Sequence, residues 1–455
     1  MSEVKKDKLK FKHKFGYAMG DAGGCMTFAL MGSTFSMYCT DALGIDPILL
    51  GILLLVWNIW DFINDPLMGA LMDKSFAKNK NPKGKFRPWI LRSAPLVCIT
   101  FIVLWSVPQF FTGIGMLCCL FGLKILYEGT YTMFNIPMGS LLSAMSYDDE
   151  ERASLSSARG IGSGIGNALP MVIVPGLLKL YGEKNAIGYA IGAIICAVIG
   201  LIMCLLHYFF TEERNMNSLE PKEVQPVSVK DIFKVFKVNR PFVALCVHGI
   251  FICLMQYISS TLNNYMYSSV LGDIELLSYG TIVSAPFMVL VFVFGSKLAK
   301  KFELVKLIRY SLILGSFLYI SLFVVHIFVN INPWVYMIWS GVAMGVASVS
   351  IYLQWGLVGD AIDYNEKITG KRTEGSIYGT FNLSRRIGQT IATSGAMFLL
   401  AIIKYNGELT VQSDFTKMGL KILCVLLPGI FVLGSWAAFK FIWKMNKVEV
   451  NESIE

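Results

Sequence analysis

The sequence predicts an all-α polytopic membrane protein of about twelve transmembrane helices, arranged as two six-helix bundles. Hydrophobic residues make up 55% of the 455 residues, and charged residues only 16%. Apolar runs of roughly 20 residues, the length that crosses the hydrocarbon core, recur along the chain. One polar stretch separates six such runs from six more. A chain of this composition cannot bury its apolar residues in a single dry core, so most of its surface must face lipid.

The apolar runs give the spans in order. The first six are expected near residues 15–40, 48–72, 89–107, 113–145, 154–179 and 187–210, and the second six near residues 241–269, 277–298, 305–329, 333–363, 374–404 and 414–444. The polar stretch between the sets contains two prolines and has room only for a short amphipathic helix. We therefore predict an N-terminal bundle at 1–210, a cytoplasmic linker at 211–240, a C-terminal bundle at 241–445 and a cytoplasmic tail at 446–455.

Lysine and arginine concentrate in alternate loops, most densely after spans two and eight, which is the pattern of cytoplasmic loops. The opposite loops are nearly free of cations, although Lys179 and Lys184 weaken the contrast. We expect a multi-pass protein of the cell membrane, inner or plasma, with both termini in the cytoplasm. The net charge of +9 then reflects orientation in the bilayer rather than binding of nucleic acid. The expected partners are membrane lipid and a small molecule, and the protein is expected to be a monomer.

Glycines repeat every fourth residue on spans one and five, the spacing of close helix contacts. The residues are Gly16, Gly20 and Gly24 on span one, and Gly160, Gly162, Gly164 and Gly166 on span five. The second set superficially resembles a phosphate-binding loop, but it lacks a preceding strand and a Lys-Ser/Thr ending. Helix packing is the favoured interpretation.

Span two carries the sharpest candidate for chemistry. Asp61 and Asp65 are four residues apart and Asn58 is three residues before Asp61, so all three project from one helix face. Each charged group placed in lipid costs on the order of 3 kcal/mol. Two adjacent carboxylates repel unless sodium, a proton or a nearby basic side chain neutralises them. Pro66 also releases a backbone carbonyl one turn earlier. The alternative is a salt bridge that only holds two helices together.

Other ionisable residues also fall within predicted spans. Lys124 and Asp363 lie near enough to span ends that a solvated position is equally expected. Arg159 and Arg386 fall further inside, and either neutralise the acids or bind an anionic substrate. The remaining members of the set are Glu128, Asp360 and Arg385.

Polar and aromatic residues accompany these charges. A sugar pocket combines hydrogen-bonding groups with flat apolar faces, and such side chains recur on spans four and ten. They are also common in ordinary helix bundles, so they do not by themselves decide for a pocket. The residues are Tyr131, Thr132, Asn135, Gln354 and Trp355.

A series of motifs along most of the chain resembles the glycoside-pentoside-hexuronide:cation symporters. The motifs are GYAMGD at 16–21, WDFINDPLMG at 60–69, GKFRPWIL at 84–91, YTMFNIPMGSL at 131–141, SARGI at 157–161, and GDAIDYNEKITGKRTEGSIYG and RRIGQ within 359–389. The resemblance implies a major-facilitator-type fold, alternating access, and uptake of a glycoside. Sodium or a proton would be co-transported, and no other cofactor is expected.

The resemblance also implies roles for individual residues. The cation-binding set would be Asp61, Asp65, Asn64 and Thr132, with Asp61 and Asp65 as the metal ligands if the ion is sodium. Glu128 stands where the melibiose branch of this family has a small residue of the cation site, and it would either tune the ion preference or pair with Arg386. The predicted substrate-binding set is Asp21, Asn135, Arg159, Trp355 and Arg386. Within it, the resemblance implies a pocket role for Arg159 and a position between the cation and sugar sites for Arg386, whereas Asp21 lies one turn before the family's sugar-binding aspartate and does not inherit its role.

Departures from the melibiose branch suggest the substrate. Cys25 and Asn135 replace two aspartates that hold the sugar there, and Gly139 replaces a stacking tryptophan. Arg386 replaces a lysine that is common in the family, which keeps the charge but alters reach and donor geometry. The chain loses acids but keeps arginines, and a buried anion needs a cationic partner. We therefore hypothesise a hexuronide or glucuronide, with a xyloside as the other possibility.

An enzyme is not expected, because the four histidines are scattered and form no cluster with a nucleophile or metal-ligand spacing. The sequence favours cation-coupled symport of a sugar or glycoside. The alternatives are an uncoupled sugar facilitator and a membrane sugar sensor, and neither of these depends on the acid pair.

Overall fold

The structure is a computed structural model that describes residues 9–78, 84, 86–146, 149–214, 239–369, 374–409 and 411–444. These residues are helical throughout apart from short connections, and they contain no β-strand. This confirms the predicted all-α class.

The first six long helices follow the predicted order. Helix α1 is continued by the short helix Phe35–Met37 and the π-helical turn Tyr38–Ala42, and a 3₁₀ turn, Pro108–Phe110, follows α3. The helices are α1 (Phe11–Ser33), α2 (Pro47–Lys78), α3 (Arg87–Ser106), α4 (Gly113–Met145), α5 (Asp149–Tyr181) and α6 (Ala186–Phe210).

Six more helices follow in the second half. Helix α12 begins at Asp414–Lys421 and continues through Leu427–Ala437, with π-helical turns at Ile422–Leu426 and Ala438–Ile442. The others are α7 (Arg240–Ser269), α8 (Leu276–Phe302), α9 (Leu304–Phe328), α10 (Pro333–Thr369) and α11 (Glu374–Ile402).

The chain divides into two compact units, Met1–Glu223 and Val224–Glu455. The division falls inside the predicted linker at 211–240. Residues 215–238, and the predicted tail at 446–455, lie outside the described residues. The exact domain boundaries therefore stay a prediction.

The two units share one pattern of helix packing. In the first, α1 packs on α5 and α6, α3 packs on α4 and α6, and α2 packs on α4. In the second, α7 packs on α11 and α12, α9 packs on α10 and α12, and α8 packs on α10. Each of these five contacts in the first unit thus recurs six helices later. A repeated six-helix unit, which the basic loops only suggested, accounts for this correspondence.

Hydropathy alone identifies fewer spans than the fold contains. Within the described residues, eight helices are long and apolar enough to cross a membrane, and two shorter apolar helices accompany them. Helices α1 and α11 are not among the eight. Both are rich in glycine and polar residues, and they pack extensively on neighbouring helices of their own units. A helix shielded by other helices does not need the apolar surface that lipid requires.

Helix α1 approaches α5 and α6 closely through the predicted glycines. A Cβ atom added at Gly162 would collide with the backbone carbonyl of Ala18, and one at Gly166 with that of Ala22. On the α6 side, a Cβ at Gly20 would lie 2.6 Å from Nδ1 of His207. That imidazole nitrogen lies 2.9 Å from the carbonyl oxygen of Gly16 and bonds to it. Glycine is therefore required where α1 meets its two neighbours.

The described residues of the GKFRP motif, Gly84 and those from Phe86 onward, are held by the segment that follows α6. Gly84 has φ +105°, a left-handed conformation that favours glycine. One carboxylate oxygen of Glu213 accepts the backbone N–H groups of Phe86 and Arg87, each at 2.8 Å. These N–H groups begin α3, where a negative charge is favourable. The guanidinium of Arg87 donates to the carbonyl of Tyr208 at 2.8 Å and covers its ring. The residues just after α6 thus secure the start of α3.

We expect Gly162→Ala to destabilise the protein by about 1–3 kcal/mol, because the added methyl group meets backbone rather than a movable side chain. Gly176→Ala on the same helix is the matched control, since its Cβ would meet nothing within 4 Å. The measurement is thermal unfolding of the purified protein in detergent. Equal unfolding temperatures for the two variants would contradict this account of the α1–α5 contact.

Candidate functional site

One face of α4 carries a column of polar side chains near the middle of the first unit. Lys124, Glu128 and Thr132 are spaced four residues apart and lie one above another. The ammonium of Lys124 forms an ion pair with the carboxylate of Glu128. Lys124 is only 7% exposed, so the solvated position that the sequence also allowed for it is wrong. Glu128 is thus engaged by Lys124 of its own helix, and the alternative partner Arg386, which lies in the second unit, stays a prediction.

Helix α2 contributes the second side of this column. The amide of Asn64 donates to the hydroxyl of Thr132 at 2.9 Å, and both side chains are buried. Asp61 lies one turn before Asn64, is half-buried, and attracts the Lys124 ammonium electrostatically. Asp65 lies on α2, but its side chain is outside the described residues. Of the predicted acid pair, only Asp61 can thus be placed in this polar layer.

Aromatic rings close the layer on the Lys124 side. The ammonium nitrogen lies 5.6 Å from the ring centroid of Tyr127 and 6.0 Å from that of Phe35. Both rings are almost completely buried. Exclusion of water strengthens the charge interactions inside the layer.

The polar layer offers carboxylate, amide and hydroxyl oxygens, the ligands that a hard cation prefers. Among the described side chains, no group of three or more histidines, cysteines, aspartates and glutamates is placed to hold a metal ion. The assignment of Asp61, Asp65, Asn64, Thr132 and Glu128 to a cation site therefore remains a proposal.

A second cluster joins α1 to α5. Nε of Arg159 donates to Oδ1 of Asp21 at 3.1 Å; the aspartate side chain is 9% exposed and the arginine side chain 40%. Asp21 thus holds one edge of the guanidinium while much of the rest is accessible. One turn along α5, Ser163 lies 3.4 Å from the thiol of Cys25 and 3.3 Å from the amide of Asn167.

Helix α4 borders this cluster. Asn135, one of the predicted substrate-binding residues, is exposed. One turn further, the nearest atom to a Cβ built on Gly139 is Nη1 of Arg159, at 3.8 Å. The structure therefore brings Asp21 and Arg159 into contact and sets the arginine beside the backbone of Gly139.

The other two predicted substrate residues lie in the second unit. Trp355 on α10 is exposed and packs edge-on against Phe381 of α11, with 5.4 Å between ring centroids. Arg386 on α11 is half-buried. The guanidinium that lies over the Trp355 ring, at 5.3 Å, belongs instead to Arg385. The sequence places Arg385 deep in a span but gives no sign of its contact with the tryptophan.

Two six-helix units with a repeated packing pattern are the architecture of the major-facilitator-type fold. The crystal structure of a D-xylose-proton symporter has this fold. It matches with a TM-score of 0.64 over 94% of this chain and 98% of that chain, at 13% sequence identity.

The chain belongs to the MFS/sugar transport protein family, whose model matches residues 16–446, and within it to the glycoside-pentoside-hexuronide group that its motifs resemble. It is similar to a glucuronide carrier protein homolog of Escherichia coli, with 28% identity over 96% of this chain and 92% of the relative. It is also similar to a putative sulfoquinovose importer of Salmonella typhimurium, with 29% identity over 97% and 91%. The protein is a multi-pass membrane transporter and not an enzyme.

We expect Thr132→Val to destabilise the first unit by about 1–3 kcal/mol, because it removes the acceptor of the buried Asn64 amide. Thr132→Ser keeps the hydroxyl and serves as the matched control. Thermal unfolding in detergent measures the difference. If valine and serine at this position unfold at the same temperature, the bond between α2 and α4 contributes nothing measurable.

Proposed function

We propose that the protein is a cation-coupled symporter that imports an acidic sugar, such as a hexuronide, by alternating access. The observation that carries this proposal is the Arg159 guanidinium, which is fixed by Asp21 at one edge and accessible at the other. Family membership already makes the protein a sugar transporter. The coupling and the charge of the sugar are the proposed parts.

The surroundings of Arg159 favour an anionic substrate. With Nε engaged by Asp21 and the side chain still partly exposed, the guanidinium can donate further charge-assisted hydrogen bonds to a carboxylate. Gly139 has no side chain and so leaves space beside Nη1. Cys25 and Asn135, on α1 and α4, are neutral, so they would not repel a negative sugar.

The names of the two relatives agree with this chemistry. A glucuronide carries a carboxylate and sulfoquinovose carries a sulfonate, so both are sugars with one negative group. A xyloside has no such group, and would form no ion pair with the exposed part of the Arg159 guanidinium that Asp21 leaves uncovered.

The proposed coupling uses the polar layer of α2 and α4. A cation neutralises the acids of α2, the sugar then binds, and only the doubly loaded or the empty carrier reorients. The membrane potential supplies roughly 2.3 kcal/mol per 100 mV for each net charge moved. One cation moving with one sugar anion is electroneutral. Accumulation would then depend on the cation's concentration gradient, unless more than one cation moves per cycle.

We predict that Asp65→Asn abolishes gradient-driven accumulation while downhill exchange partly survives, because the variant loses a charge that the coupling cation must neutralise. The measurement is uptake of labelled glucuronide and xyloside by membrane vesicles, with sodium and proton gradients imposed separately on the parent and the variant. Uptake by the parent that is independent of both gradients and of Asp65 would identify an uncoupled facilitator. Binding without any uptake would identify a sensor.

We predict that Arg159→Gln weakens the apparent affinity for a glucuronide by roughly ten- to hundredfold, since a charge-assisted hydrogen bond contributes about 1.5–3 kcal/mol. Arg159→Lys should recover part of the loss, and Arg92→Gln, at an exposed arginine of the same unit, should leave affinity unchanged. Competition for uptake provides the measurement. Displacement of the labelled substrate by a neutral xyloside or galactoside, but not by glucuronides, would contradict an acidic substrate.

A further inference from the structure

The Lys124 side chain is unusual for a lysine of a membrane helix. Such lysines normally extend to the nearest aqueous boundary, which the flexible four-carbon stem allows. Lys124 instead lies well inside α4 and is 7% exposed, with its ammonium paired to Glu128 and facing the rings of Phe35 and Tyr127. The positive charge is therefore a fixed component of the polar layer.

Asp61 and Glu128 lie at nearly the same level of the first unit. Helices α2 and α4 run in the same direction, because a single span, α3, separates them in the chain. The bond between Asn64 and Thr132 aligns the two helices. At about 1.5 Å per residue, Asp61 lies about 4.5 Å before this bond on α2, and Glu128 about 6 Å before it on α4. Lys124 comes one turn before Glu128 on α4, and its ammonium pairs with the Glu128 carboxylate. The ammonium is therefore placed to interact with both carboxylates.

An ammonium in this position can do what a bound cation would do. It carries one positive charge and three hydrogen-bond donors, and it is held by a covalent tether. Sodium entering the same layer would meet a like charge and would have to compete with Lys124 for the Glu128 carboxylate. Removal of the ammonium would leave two carboxylates with the neutral oxygens of Asn64 and Thr132, a set that suits a hard cation.

We propose that Lys124 determines the ion selectivity of the site, as a tethered cation that takes the place of sodium between Asp61 and Glu128. This inference rests on the proposed cation coupling and narrows it. The parent protein binds sodium poorly, and the proton gradient remains to drive transport. Substitution of Lys124 by a neutral residue creates a sodium site.

The test is thermal unfolding of the full-length protein, purified in detergent, in rising sodium chloride with choline chloride keeping the total salt constant. A ligand that binds only the folded state raises the unfolding temperature with its concentration. The parent is expected to show no sodium-specific rise. Lys124→Gln is expected to show a saturable rise, corresponding to a sodium affinity at least roughly tenfold above that of the parent.

Three variants control the experiment. Lys124→Arg keeps the charge and should behave as the parent, as should Lys179→Gln, at an exposed lysine of the same unit. Lys124→Gln combined with Glu128→Gln removes a carboxylate ligand and should lose the sodium response.

A saturable sodium response in the parent would overturn the proposal, and this result does not depend on whether any variant folds. Its absence in folded Lys124→Gln would overturn it as well. Failure of the proposed function would appear separately, as a lack of gradient-driven sugar uptake by the parent.

Discussion

The contact of α1 with α5 is the constraint on which the rest of the first unit depends. The carbonyl groups of Ala18 and Ala22 face Gly162 and Gly166 so closely that no side chain fits between the helices. This contact fixes the register of α1 against α5 in which the long Arg159 side chain reaches Asp21. The same helix leads into the turn that carries Phe35 to Lys124. Backbone packing thus determines where both charged groups are held.

The sequence predicted the class, the order and the approximate position of the twelve long helices that the structure describes, because lipid requires long apolar runs. It was less accurate at helix ends. The second span was predicted at 48–72 and the tenth at 333–363, whereas the helices run to Lys78 and Thr369. Hydropathy marks where apolar residues stop, but backbone hydrogen bonds continue a helix into polar sequence. Hydropathy also does not show where, within residues 211–240, the first unit ends and the second begins.

The candidate site was predictable where one helix face carries it, and less so where it depends on contacts between helices. The spacing of the acids on α2 and the depth of Arg159 were visible in the sequence. The pair formed by Lys124 and Glu128 has the same four-residue spacing, which could have identified it, but the lysine was expected equally at a solvated end. The position of Arg385 over Trp355 depends on how α10 and α11 pack, which a single sequence does not reveal.

The residues that follow α6 matter for any attempt to express the two halves as separate polypeptides. Glu213 binds the start of α3, and the backbone N–H of Arg214 donates to the carbonyl of Ala144 at the end of α4 at 2.9 Å. A first half that stopped at Phe210 would leave the N–H groups of Phe86 and Arg87 without their carboxylate. A break introduced after Arg214 keeps these bonds. A separately expressed first half should therefore extend to Arg214, beyond the last residue of α6.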